Sequence, residues 1–132
     1  NGTYYSERIL LALGRRCKKL NVPKEKELEG KGVFYCSICD APLLKDKKAA
    51  IVGGGNSALL SVLDLNPFAT KIYLLTNEPF LRGDDALQEM IKNNPTVIIA
   101  RKKGFQKRIK FIHFFSKLKR NGIRKLKIFS AM

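Results

Sequence analysis

Between residues 48 and 76 the chain runs from a short apolar strand into three consecutive glycines, then a leucine-rich helical stretch, then a second apolar strand. That order specifies a parallel βαβ unit more narrowly than anything else in the sequence. Lys48 to Val52 reads as the first strand, Gly53-Gly54-Gly55 as the turn and Ser57 to Leu65 as the helix, ended by Asn66-Pro67. Thr70 to Thr76 reads as the second strand. Asp84 to Asn93 follows as an amphipathic helix, with Leu87 and Ile91 on one face and Asp84-Asp85 at its positive N-terminal end. Asn94-Pro95 stops it, and Thr96 to Ala100 reads as a third strand. The expected fold is α/β, with a three-stranded parallel Rossmann core over about residues 46–100.

The flanks are less regular. Residues 3–13 read as a strand stopped by Gly14, and residues 15–32 as a charged connector carrying Pro23, Gly30 and Gly32. Residues 33–44 hold two cysteines and Pro42, with a short helical turn expected near Cys36. Beyond Arg101, Phe105, Ile109, Ile112 and Phe115 share a helical face, so the pattern predicts a helix over 106–120. Asn121-Gly122 signals a turn, and 123–129 alternates like a strand.

The net charge of +15 is unevenly placed. Residues 1–89 carry 13 Lys or Arg and 11 Asp or Glu, whereas residues 90–132 carry 13 Lys or Arg and no acid. This is a nearly neutral domain followed by a basic tail. Such a tail, with Phe105, Phe111, Phe114 and Phe115 interleaved, offers an alternative function as a nucleic-acid-binding module. The same residues also fit an ordinary amphipathic helix, so nucleic acid is not the expected partner. His113 lies in this stretch and reads as a packed or surface histidine rather than a base. No apolar run approaches the ~18 residues of a membrane span.

Residues 53–58, Gly-Gly-Gly-Asn-Ser-Ala, fit the G-x-G-x-x-G/A dinucleotide fingerprint. Gly53 permits a tight turn, Gly55 lets the backbone approach a pyrophosphate, and Ala58 keeps the helix close to the sheet. The helix start then offers N–H groups to an anion. The fingerprint expects an acid about 20 residues on, to bond a ribose 2′-hydroxyl. Glu78, just past the second strand, is the candidate. A site for NADPH would more readily place arginines there, and only Arg82 is near, so NADH is favoured over NADPH. The competing readings are a glycine-rich turn that binds nothing and an exposed loop acid.

Cys36-Ser37-Ile38-Cys39-Asp40 is a C-x-x-C pair followed by an acid. Two intervening residues let one turn bring both sulfurs within disulfide range. Asp40 is placed to exchange a proton with a leaving thiol. Two alternatives stand beside this: half of a zinc site, for which Cys17 and His113 are the remaining soft ligands, or two inert structural thiols. Three cysteines argue against a secreted disulfide framework and point to a reducing, cytoplasmic compartment.

The order and separation of the two motifs are more specific than either alone. Gly-Lys-Gly-Val-Phe-Tyr-Cys-Ser-Ile-Cys-Asp over 30–40, followed by Ala-Ile-Val-Gly-Gly-Gly-Asn-Ser-Ala over 50–58, resembles the thioredoxin reductases and the flavoprotein subunits of alkyl hydroperoxide reductases. Ala12-Leu13-Gly14 and Leu20-Asn21-Val22-Pro23 upstream, and Phe68-Ala69-Thr70-Lys71 and Asn93-Asn94-Pro95 downstream, extend the resemblance to about residues 1–99. It implies an oxidoreductase passing electrons from NAD(P)H through FAD to a redox disulfide and on to a thioredoxin-like protein disulfide. Cys36 and Cys39 would be the redox pair and Asp40 the acid beside the flavin. Gly53, Gly54, Gly55, Asn56, Ser57 and Ala58, with Thr76, Asn77, Glu78 and Arg82, would hold the pyridine nucleotide. Residues 1–45 would be the end of an FAD-domain half, a connector and the cysteine segment, residues 46–100 the nucleotide domain, and residues 101–132 a basic tail.

Several positions depart from the family pattern. Glutamates usual early in the helix after the glycine loop are Leu60 and Ser61, and a His-Arg-Arg phosphate grip is Thr76-Asn77-Glu78. The FAD fingerprints fall outside residues 1–132, so this stretch alone is expected neither to bind FAD as the family does nor to turn over. A complementary flavin-binding chain or a homodimer would have to complete it. The loss of every acid after Glu89 reads either as a degenerate, frame-shifted segment or as a true basic tail.

Overall fold

A computed structural model describes residues 2–14, 17–101 and 126–130. Its centre is a fully parallel five-stranded sheet. The strands are β1 (Val33–Phe34), β2 (Lys48–Val52), β3 (Lys71–Thr76), β4 (Val97–Arg101) and β5 (Leu126–Ser130), in the spatial order β1-β5-β2-β3-β4. Parallel neighbours need crossovers, and two helices supply them: α3 (Asn56–Leu65) joins β2 to β3, and α4 (Asp85–Lys92) joins β3 to β4. Two shorter helices precede them, α1 (Glu25–Leu28) and α2 (Ser37–Asp40), the latter running into a 3-10 turn over Ala41–Leu44.

Strands β2 and β3 are apolar because both of their faces are covered, as parallel sheets require. Ala49, Ala50, Ile51, Ile72, Leu74 and Leu75 are all buried. In α3 the buried positions Ala58, Ser61, Val62 and Leu65 recur at helical spacing and, with Leu59, form the inward stripe. Ser61 is tolerated there because its hydroxyl donates to the Ser57 carbonyl at 2.8 Å. In α4 Ile91 is buried and Leu87 half-buried, as the sequence pattern requires. Phe34, Ala41 and Leu44 enter the same core cluster as Ile51, Leu59 and Leu74, so the cysteine segment packs on the β2-α3-β3 unit.

The fold is α/β with a parallel sheet, as expected, but three local readings change. The sheet has five strands rather than three, because β5 inserts between β1 and β2, pairing Ala50 with Ile128. Residues 3–13 are not a strand: they have no ladder partner among the described residues, and Tyr4, Tyr5, Ile9, Leu10, Leu11 and Leu13 are exposed. The connector contains α1, which composition hid because it is a single turn, entered through a positive φ at its N-cap Lys24. The helix expected over 106–120, the turn at 121–122, His113 and the aromatic residues of the basic tail lie outside the described residues. Among the described residues no helix is long and apolar enough to cross a membrane.

Candidate functional site

Strand order reverses between β2 and β5: from β2 the chain moves outward to β3 and β4, then returns to β5. In open parallel sheets ligands bind beyond the carboxyl ends of the strands at such a reversal. The glycine loop leaves β2 at that place. Gly53 has a φ of 149°, which favours glycine, and its N–H donates to the Leu75 carbonyl at 2.9 Å. Gly55 caps α3, with its carbonyl accepting from Ala58 and Leu59.

The three glycines answer to different constraints. A Cβ on Gly54 would lie 2.7 Å from Thr76 Oγ1, so Gly54 is demanded by packing. A Cβ on Gly55 would meet nothing within 4 Å. Packing therefore does not explain glycine at 55, and the open space beside it fits the approach of a ligand backbone to the helix start. Thr76, at the end of β3, is buried and forms the floor of the loop, with Oγ1 accepting the Glu78 N–H at 3.1 Å.

The segment after β3 closes over this loop. The Arg82 N–H donates to the Gly54 carbonyl at 2.7 Å. Asn56 Oδ1 accepts the Asp84 N–H at 2.7 Å, and Asn56 Nδ2 donates to Asp84 Oδ2 at 3.0 Å. Asn56 thus ties the two loops together, and Asp84 uses its carboxylate on Asn56 rather than as a cap of α4. The Arg82 guanidinium lies 3.7 Å from Glu78 Oε1 in a partly exposed pair. The structure therefore gathers Gly53, Gly54, Gly55, Asn56, Ser57 and Ala58 with Thr76, Asn77, Glu78 and Arg82 at one end of the sheet. Gly83 and Asp84, which are not among the expected site residues, belong to the same assembly. In the sequence Asp84 reads only as an acid at the start of the second helix, and Gly83 carries no signal of this role.

Cys36 and Cys39 are joined in a disulfide. Cys36 caps α2, its sulfur accepting the Cys39 N–H at 3.3 Å. Ile38, between them, is exposed, and Asp40 is half-buried with its N–H on the Cys36 carbonyl at 3.0 Å. The turn rests on the far part of α3, where the Ser37 hydroxyl donates to Asp64 Oδ2 at 2.6 Å. Asp64 follows Asn56 by eight positions along α3, roughly 12 Å of helix rise. Through Ser37 the cysteine turn is thus tied near the C-terminal end of α3, away from the start of the helix where the glycine loop sits. Among the described residues no three His, Cys, Asp or Glu side chains cluster in metal-binding range.

A buried carboxylate organises the approach to the cysteines. Glu25 accepts the Leu20 N–H at 2.7 Å, the Val22 N–H at 3.3 Å and the Tyr35 hydroxyl. Lys19 sits 3.8 Å over the Tyr35 ring and pairs with Glu29 at 2.9 Å. Burial pushes the Glu25 carboxyl up, but the bonds from Tyr35 and from the Leu20, Val22 and Asn21 backbone outweigh it, leaving it below its ordinary 4.5. Burial and the neighbouring Glu25 push the Tyr35 phenol upward. A depressed carboxylate contributes stability that is present above pH 4.5 and lost as pH falls through its folded value. Melts of wild type and Glu25→Gln between neutral pH and pH 3 are expected to show a steeper acid loss in wild type. Parallel curves would remove Glu25 from the account.

The family model for pyridine nucleotide-disulphide oxidoreductases matches residues 1–106. An alkyl hydroperoxide reductase subunit of Pseudomonas putida is 40% identical over 89 residues, which are 67% of this chain and 17% of that protein. Thioredoxin reductase of Ureaplasma parvum serovar 3 is 34% identical over 97 residues, 74% of this chain and 31% of its own length. The crystal structure of Lactococcus lactis thioredoxin reductase superposes with a TM-score of 0.63 at 25% identity, covering 67% of this chain and 31% of that one. The chain thus spans a third or less of each of these three proteins. Family model, sequence relatives and fold agree with the motif order: this chain belongs to the pyridine nucleotide-disulphide oxidoreductase family, and within it is thioredoxin-reductase-like.

Proposed function

We propose that this chain supplies the pyridine-nucleotide-binding unit and the redox dithiol of a flavoprotein disulfide reductase, with NADH favoured over NADPH. The observation that carries the reading is Gly55, whose missing side chain faces open space at the start of α3, beyond the strand ends. That geometry fits a pyrophosphate. Gly53 to Ala58 would hold the pyrophosphate. Glu78, near the loop through Thr76, would bond the ribose, with Asn77 and Arg82 alongside. When bound, the reduced nicotinamide supplies a hydride.

The Cys36–Cys39 disulfide would accept two electrons and become two thiols. One thiolate would then attack a thioredoxin-like protein disulfide, and the other would resolve the mixed disulfide, returning Cys36–Cys39 to its oxidised form. Asp40 would exchange the proton of the leaving thiol, and exposed Ile38 would meet the partner. FAD, the relay that spans the separation along α3, would be held by a complementary chain, by a second copy or by further parts of a longer cytoplasmic protein. In this division residues 46–100 would hold the nucleotide, with β1 and β5 completing their sheet, and the residues before β1 would belong with the flavin half. Residues 1–132 by themselves would not turn over.

Calorimetric titration of the reduced chain with NADH, NADPH and FAD tests this. NADH binding that is tighter than NADPH binding, with the difference reduced in Glu78→Ala, is the expected result. Binding of FAD alone would show that the flavin site had been misjudged, and no binding of any of the three would overturn the nucleotide reading.

A further inference from the structure

The half-buried contact between Ser37 and Asp64 has no role in nucleotide binding, and its placement is unusual. Asp64 is the penultimate residue of α3, where the negative end of the helix dipole disfavours a carboxylate. Its oxygen nevertheless reaches out of the helix to the one polar residue between the two cysteines, at 2.6 Å. A hydrogen bond with a charged acceptor is among the stronger kinds. It joins the cysteine turn directly to α3.

We propose that Asp64 is a positioning residue which, through Ser37 Oγ, holds the Cys36–Cys39 turn on α3 and thereby sets the reduction potential of that pair. The inference rests on the proposed redox role of the two cysteines.

The physical argument concerns the reduced state. Reduction of the disulfide takes up two electrons and two protons and leaves two thiols. With the covalent link gone, the turn gains conformational freedom unless something else holds it. The Cys36 sulfur already caps the Cys39 N–H, which fixes the two ends of the turn relative to each other but not to α3. The Ser37–Asp64 bond supplies that second restraint. It keeps the thiols close together and favours re-forming the disulfide. Without it the dithiol gains freedom that the disulfide cannot share, so the equilibrium moves toward the reduced form and the potential rises.

The test is the redox equilibrium of the full chain against glutathione buffers of graded ratio, read by alkylation and peptide mass. Cleavage at Lys18 and Lys31 separates Cys17 from the Cys36–Cys39 peptide. Ser37→Ala and Asp64→Ala are each expected to move the equilibrium toward the dithiol by about tenfold, a rise of ~30 mV for a two-electron couple. The double variant is expected to move it no further than either single one, because one bond is being cut. Asp64→Asn, which keeps an acceptor, is expected to return most of the wild-type value. Melting curves of each variant separate this from a general loss of stability.

Lower melting temperatures with an unchanged equilibrium would overturn the proposal and make the contact structural only. A shift in Asp64→Asn as large as in Asp64→Ala, with none in Ser37→Ala, would also overturn it, since charge rather than the bond would be acting. A wild-type disulfide that glutathione cannot open reversibly would instead remove the redox reading itself, and this inference with it.

Discussion

Gly55→Ala is expected to cost little stability while weakening NADH binding by tenfold or more, and Gly54→Ala is expected to damage the fold itself. The two glycines are adjacent in the same fingerprint, but a Cβ meets nothing within 4 Å at Gly55 and meets Thr76 Oγ1 at 2.7 Å at Gly54. Gly55 has a φ of −98°, which alanine adopts without strain. Its replacement should cost at most about 1 kcal/mol, the preference for glycine over alanine at a helix N-cap. The new methyl would stand where a pyrophosphate approaches the backbone, so the loss appears in affinity. At Gly54 the obstacle is a β-branched residue of β3 that is 2% exposed and cannot swing aside. Moving Thr76 would also disturb the bond from the Glu78 N–H. A cost of roughly 1–3 kcal/mol, in the range for overpacking, should appear as a fall of several degrees in melting temperature. Thermal melts and NADH calorimetry on both variants decide the matter. A Gly55→Ala protein that binds NADH as wild type does would sink the ligand-approach reading.

That contrast also marks how far the sequence is legible. The order strand, glycine loop, helix, strand can be read because β2, α3 and β3 obey local rules: an apolar run, three glycines, leucines at helical spacing, and Asn66-Pro67 as a stop. The different reasons for Gly54 and Gly55 cannot, because they depend on Thr76, which lies more than 20 residues away. The same holds for Asn56. The motif makes it a ligand residue, but the fold commits both ends of its amide to Asp84. Residues 3–13 mislead for the converse reason. Their apolar run satisfies the local signal for a strand, and a strand exists only where a neighbour takes its hydrogen bonds. β5 is legible as a strand near its true position, but its insertion between β1 and β2 is a matter of topology that no local pattern encodes. Ser37 and Asp64 leave no signal at all, being ordinary polar residues 27 apart that meet only when α2 packs on α3.

Leu59 and Gly83 carry the other large expected effect, and it is expected to be non-additive. Leu59 is fully buried in the core of α3, and Leu59→Ala should cost about 2–5 kcal/mol through lost burial and the cavity left behind. Gly83 packs its backbone against the same side chain: a Cβ there would fall 2.2 Å from Leu59 Cδ1 and 3.1 Å from Leu59 Cγ. Gly83→Ala should therefore cost about 1–3 kcal/mol, since fully buried Leu59 must shift within a close-packed core to make room. The atoms that clash in the second variant are those deleted in the first. In the double variant the added methyl enters space that Leu59 has vacated, so the combined cost should fall below the sum by about 1 kcal/mol or more. Rescue should stay incomplete, because the same Cβ would lie 2.8 Å from Asn56 Oδ1, the acceptor of the Asp84 N–H. Urea unfolding of the two single variants and the double one measures the coupling directly. Strict additivity would mean that the cost at Gly83 comes through Asn56 and the tie between the two loops, and not through the packing of Leu59.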